Sequence, residues 1–145
     1  MYKRQTGNTA ARDKLLTELK AKLQDWLTYT PGEANKHWAY DPTWRTLCPI
    51  YDMHYACRDL SDHHFINGYF IRAAAIVAMF DPNGASWSGQ WGPMIEQLIK
   101  DPMNWDRTDT KYGFLRHFSP VEGHSWASGI AFGNGLNEEL SLIHI

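Results

Sequence analysis

Residues 61–80 read Ser-Asp-His-His-Phe-Ile-Asn-Gly-Tyr-Phe-Ile-Arg-Ala-Ala-Ala-Ile-Val-Ala-Met-Phe. An acidic and imidazole-rich knot, Asp62-His63-His64, runs straight into Ala73 to Met79, and Arg72 is the one formal charge between Asp62 and Asp81. So apolar a run predicts a buried helix whose N-terminal end presents polar groups. Ser61 or Asp62 can cap it, because a side-chain oxygen there accepts from the unpaired N–H groups of the first turn. Asp81-Pro82-Asn83-Gly84 supplies the turn that stops it. The knot has two meanings at this stage: a cap with histidines satisfying buried carbonyls, or a site where perturbed groups gather.

Working outward, Thr9 to Tyr29 has helical periodicity, with Leu15, Leu16, Leu19, Leu23, Trp26 and Leu27 on one side and most charges on the other. Pro31-Gly32 ends it. Lys36 to Tyr55 has no sustained period and is broken by Pro42 and Pro49, which predicts a long ordered loop with room for a short strand pair. Beyond the central helix, Ser86 to Gly92 reads as an aromatic turn around Trp87 and Trp91. Pro93 then opens a short helix through Lys100. Asp101 to Tyr112 reads as a polar connection holding Trp105, and Val121 to Gly129 as a Gly-bracketed segment of acid, imidazole, hydroxyl and indole. The expected class is mainly α with long aromatic-rich loops, with no internal repeat and no domain boundary.

Composition narrows the function. At 145 residues and 43% hydrophobic, the chain can form one modest domain or part of a larger one. A formal charge of −2 with scattered Lys and Arg argues against a nucleic-acid partner. Apolar runs fall well short of the roughly 20 residues of a membrane span, and Met1 to Thr9 has no apolar signal core, so neither a membrane partner nor a targeting signal is expected. Seven Trp and seven Tyr, many beside Gly, Asn, Asp and His, suit a wet cleft lined by rings. Cys48 and Cys57 are too few for a zinc cluster.

Three constellations carry chemistry. Asp62 with Glu139 or Glu138 provides the paired carboxylates of glycosidic hydrolysis, one protonating the leaving oxygen and the other activating water or attacking the sugar. Tyr and Trp faces suit stacking on a pyranose ring, and Asn, His and Arg suit its hydroxyls. Asp62, His63 and His64, joined by His117 or His124, could instead serve a metal-dependent hydrolase, since imidazole and carboxylate suit zinc. Adjacent helical histidines point about 100° apart, which makes sharing one ion difficult. Gly123-His124-Ser125-Trp126-Ala127 departs from the G-x-S-x-G elbow at its last position and follows no apolar strand, a poor match to a serine nucleophile.

Asp62-His63-His64-Phe65, then Gly68-Tyr69-Phe70 with an Ala-rich helix ending Asp81-Pro82, then Arg116-x-Phe118, then Gly123 to Gly129, then Asn137-x-Glu139, resemble in order and approximate spacing glycoside hydrolase family 81, the endo-β-1,3-glucanases. Tyr40-Asp41-x-Thr43-Trp44 resembles it too. The resemblance implies part of an (α/α)6-barrel catalytic region spanning residues 1–139, an inverting mechanism and a β-1,3-glucan partner of laminarin or curdlan type. It implies no cofactor or metal, and an extracellular full-length protein. Matched position by position, Asp62 is the expected proton donor and Glu139 the second catalytic carboxylate. His64, Tyr69, Arg116, His124, Trp126 and Asn137 are the expected substrate-binding residues. Ile66 and Asn67 stand where the family tends to carry His and Tyr. The family's closing motif has a further Glu, usually taken as the base, where this chain has Ile143. Leu140 to Ile145 match the translation of a transposon-end sequencing adapter and are expected to be a non-native tail. A glucan-binding fragment without catalysis is the other outcome that such a break allows. Lacking its packing partners, the chain alone is expected neither to fold fully nor to turn over substrate.

Overall fold

The computed structural model of the chain describes residues 7–34, 36–50, 57, 59–116, 118–121, 124–126 and 138–139. Three helices dominate: α1 over Thr9–Leu27, α2 over His63–Phe80 and α3 over Gly84–Met103. A hairpin of β1 (His37–Asp41) and β2 (Thr46–Ile50) separates α1 from α2. A small antiparallel sheet of β3 (Phe118–Ser119), β4 (His124–Trp126) and β5 (Glu138–Glu139) follows α3. The predominantly helical class agrees with the amino-acid pattern. No helix among the described residues is long and apolar enough to cross a membrane.

α1 starts where Asn8 Oδ1 accepts the Ala11 N–H at 3.0 Å, an N-cap that satisfies one of the first-turn donors. Its buried stripe is Leu16, Leu23 and Leu27; Leu15, expected on that stripe, is 51% exposed. α2 and α3 pack as an antiparallel pair around Ala74, Val77, Trp87 and Leu98, and Leu23, Leu27, Leu47 and Tyr112 close the core. α2 is less enclosed than its apolarity predicts, since Tyr69 and Met79 are 62% and 72% exposed.

α3 is the largest departure from expectation. The predicted aromatic turn and the short helix after it form one element, with Pro93 inside it. Proline removes an N–H and crowds the carbonyl four residues back, but Trp87, Trp91, Met94, Ile95 and Leu98 all pack on the core and carry the helix across that defect. Many rings assigned to a wet cleft are likewise core. Phe70 meets Trp26 at 5.3 Å and Trp38 at 5.1 Å between centroids, both edge-on, joining α1, β1 and α2.

The expected loop over 36–55 contains the regular hairpin, in register from His37 opposite Ile50 to Asp41 opposite Thr46. Asp41 Oδ1 accepts from the Thr43 and Trp44 N–H groups and shapes its tip. Asn104 and Asp109 organise the segment after α3 in the same manner. The amide of Asn104 donates to Asp106 and Tyr112 carbonyls, and Asp109 Oδ1 accepts from Lys111 and Tyr112 N–H.

Candidate functional site

Because α2 and α3 are antiparallel, the start of α2 and the end of α3 share one end of the molecule, and the end of the hairpin where β2 begins lies against them. The polar knot is therefore divided between two environments. His63 points inward and is completely buried, with Nε2 2.6 Å from Asp101 Oδ2. The same oxygen accepts the Thr46 hydroxyl at 3.1 Å and the Leu47 N–H at 2.9 Å, and Thr46 Oγ1 lies 3.2 Å from His63 Nε2. Asp101 and Thr46 are also completely buried, so α2, α3 and β2 are bound through one carboxylate oxygen. One turn further along α2, Asn67 Nδ2 donates to the Leu98 carbonyl at 3.1 Å.

Asp62 has a different setting. It occupies the N-cap position with φ 49° and ψ 19°, in the left-handed region, and its side chain makes no capping hydrogen bond. An N-cap residue usually has extended backbone that turns its oxygen onto the first-turn N–H groups; this backbone does not. The side-chain capping expected of Asp62 is thus absent, and its carboxyl is half-buried. His64 is buried, meets the Phe65 ring at a 35° tilt with centroids 4.5 Å apart, and has no hydrogen-bond partner on either ring nitrogen among the described residues. Burial, assisted by neighbouring His63, lowers its pKa to about 4, so its ring is neutral at pH 7. Tyr69, expected to bind substrate, lies on the exposed side of α2.

Arg116, expected to line a cleft, reaches back to the hairpin tip. Its Nη2 donates to the Trp44 and Arg45 carbonyls at 3.1 and 2.8 Å, and Nε lies 3.7 Å from Asp101 Oδ1. The His-Ser-Trp and Glu-Glu blocks become strand neighbours, Ser125 opposite Glu139 and Trp126 opposite Glu138. The side chains of His124, Trp126 and Glu139 lie outside the described residues, as do Asn137, Ile143 and the whole of 140–145.

A metal site built on Asp62, His63 and His64 has no support in this geometry. His63 Nε2 is engaged by Asp101, and no group of three His, Cys, Asp or Glu could hold an ion among the described residues. Asp101 and Thr46 were not legible as site residues in the sequence, although a signal existed. Asp101 continues the Trp87, Trp91, Met94, Leu98 spacing, and a carboxylate on an apolar helical stripe requires a buried partner.

The family model described as Glycosyl hydrolase family 81 C-terminal domain matches residues 1–142. A glucan endo-1,3-beta-D-glucosidase of Acetivibrio thermocellus is 49% identical over 138 residues, covering 94% of this chain and 18% of that protein. One from Thermobifida fusca is 44% identical over 138 residues, covering 93% of this chain and 18% of that protein. A solved glycoside hydrolase family 81 structure from Clostridium thermocellum superimposes with a TM-score of 0.83 at 46% identity, covering 93% of this chain and 19% of that one. The chain thus spans about a fifth of the length of the relatives it matches. With its motif blocks in family order and its helical pair matching a solved member, the chain belongs to glycoside hydrolase family 81, in the C-terminal domain of that family.

Proposed function

We propose that this segment belongs to an enzyme hydrolysing internal β-1,3-glucosidic bonds of a laminarin- or curdlan-type glucan with inversion, and that Asp62 is its general acid. The observation that carries the assignment is the Asp62 carboxyl, set at the mouth of α2 on a backbone that withholds it from capping. The relatives named as glucan endo-1,3-beta-D-glucosidases support the substrate class. In this reading the helices are part of an (α/α)6 barrel, and Glu139, brought beside the His-Ser-Trp strand, belongs to the opposing catalytic side. Inversion requires room for a water between acid and base, a carboxyl separation of about 6.5–9.5 Å. A polymeric glucan substrate places the work outside the cell. Residues 140–145 are assigned as the non-native tail, which DNA sequencing beyond the Glu139 codon checks.

The test exchanges residues 1–139 of this chain for the matching segment of the Acetivibrio thermocellus relative, leaving that protein's own sequence to follow Glu139, and measures reducing-sugar release from laminarin. The hybrid is expected to hydrolyse laminarin, and Asp62→Asn to lower the rate at least about 100-fold with the melting temperature unchanged. Asp62→Asn activity equal to the parent hybrid removes Asp62 from the acid role. A folded hybrid that shifts tryptophan fluorescence with laminarin but releases no sugar would move the assignment to glucan binding.

A further inference from the structure

The left-handed hook at Asp62 has a structural support, and that support is the buried polar cluster behind it. Leu60 and Asp62 both have positive φ, 52° and 49°, on either side of buried Ser61. Side-chain-bearing residues seldom adopt this conformation, and they keep it only where the surroundings over-determine the backbone. Here the constraint comes from both directions. The Asp62 carbonyl accepts the Ile66 N–H at 3.0 Å as the first bond of α2. The next residue, His63, is held by Asp101, which is in turn held by Thr46 Oγ1 and the Leu47 N–H. With its carbonyl and the following residue pinned, Asp62 has its side chain as its main remaining freedom.

We propose that Asp101 and Thr46 are positioning residues for Asp62: through His63 they hold the left-handed backbone that presents the Asp62 carboxyl to substrate instead of to the helix N-terminus. This rests on Asp62 acting as the acid. Neither residue touches substrate in this arrangement, because both are completely buried. Their effect is on the placement of the acid, and a displacement of about 1 Å at a reacting group costs on the order of 100-fold in rate.

The experiment uses the same hybrid with laminarin. Asp101→Asn keeps the shape but removes the carboxylate charge shared by His63 and Arg116. Its one oxygen leaves only an uncharged acceptor for His63, Thr46 and the Leu47 N–H, and turns the amide nitrogen toward Arg116. Thr46→Val deletes the hydroxyl at nearly constant volume; Thr46→Ser keeps it. Asp101→Asn is expected to lower kcat about 10- to 100-fold with KM within twofold, Thr46→Val to lower kcat at least about threefold, and Thr46→Ser to restore the parent kcat. A folded Asp101→Asn with parent kcat overturns the proposal, as does a Thr46→Ser that loses as much kcat as Thr46→Val. If Asp101→Asn and Thr46→Val both fail to fold, the cluster only supports the fold and the positioning role is likewise overturned. Asp62→Asn in the same hybrid separates the two ideas. If it is inactive while Asp101→Asn is normal, positioning alone fails; if it is active, the acid assignment fails whatever Asp101 does.

Discussion

His63 Nε2 and Asp101 Oδ2 lie 2.6 Å apart with neither side chain exposed, and this pair fastens the beginning of α2 to the end of α3. Thr46 Oγ1 and the Leu47 N–H use the same oxygen. Asp101→Ala would leave these groups facing an apolar void, and removing one partner of a buried pair costs about 3–5 kcal/mol. In the hybrid with the Acetivibrio thermocellus relative, which supplies the packing partners for this and the following unfolding measurements, urea unfolding of Asp101→Ala is therefore expected to show a loss of at least about 3 kcal/mol. Asp101→Asn is expected to lose less. A loss under about 1 kcal/mol would mean that the three elements are held together by apolar packing alone.

His64 makes stability depend on pH in a defined direction. Its folded-state pKa is lowered from 6.5 to about 4, chiefly by burial and then by His63. Between these values the unfolded chain binds a proton that the folded chain excludes. Stability is therefore full above about pH 6.5 and falls as pH drops toward 4, by about 3 kcal/mol at most. His64→Phe, which keeps a ring against Phe65 without a titrating nitrogen, is expected to flatten denaturation midpoints over that window relative to the parent. Parallel curves for the two proteins would show that His64 gains a proton as readily folded as unfolded.

Two glycines of α3 are expected to respond in opposite ways to the same substitution. A Cβ on Gly84 would overlap the backbone carbonyl of Ala78, at the close turn from α2 into α3. Gly84→Ala therefore forces the helices apart and should cost at least about 2 kcal/mol. Nothing lies within 4 Å of a Cβ built on Gly89, which is exposed in mid-helix. Gly89→Ala should gain about 0.5–1 kcal/mol through the unfolded chain's lost freedom. Thermal unfolding of the pair checks both signs. Equal shifts would place the α2–α3 turn further apart than the structure has it.

The helices were legible where periodicity and punctuation agreed. α1 ends two residues before the expected Tyr29, and α2 ends at Phe80 before the Asp81-Pro82 turn. α3 departs from the expected turn and short helix because Gly89, Gly92 and Pro93 are local breakers, and local propensity does not include the burial of Trp87, Trp91 and Leu98 that outweighs them. The aromatic residues carried the same ambiguity. Trp26, Trp38 and Phe70 form a packed junction, whereas Trp44 and Trp105 are 60% and 68% exposed, and residue type alone cannot separate these fates.

Local pattern by itself determined that Ser61 to Phe80 would be an apolar helix with a charged start, and the order of its motif blocks determined the family. Both are properties of neighbouring residues, carried by periods of a few positions. Only tertiary structure decided which member of the knot faces inward. Asp62, His63 and His64 are consecutive, yet one is half-buried, one is bonded to Asp101 and one is buried with no hydrogen-bond partner among the described residues. The groups that sort them, Thr46 and Asp101, stand 17 and 38 residues from His63, and chain folding rather than spacing brings them within hydrogen-bond reach.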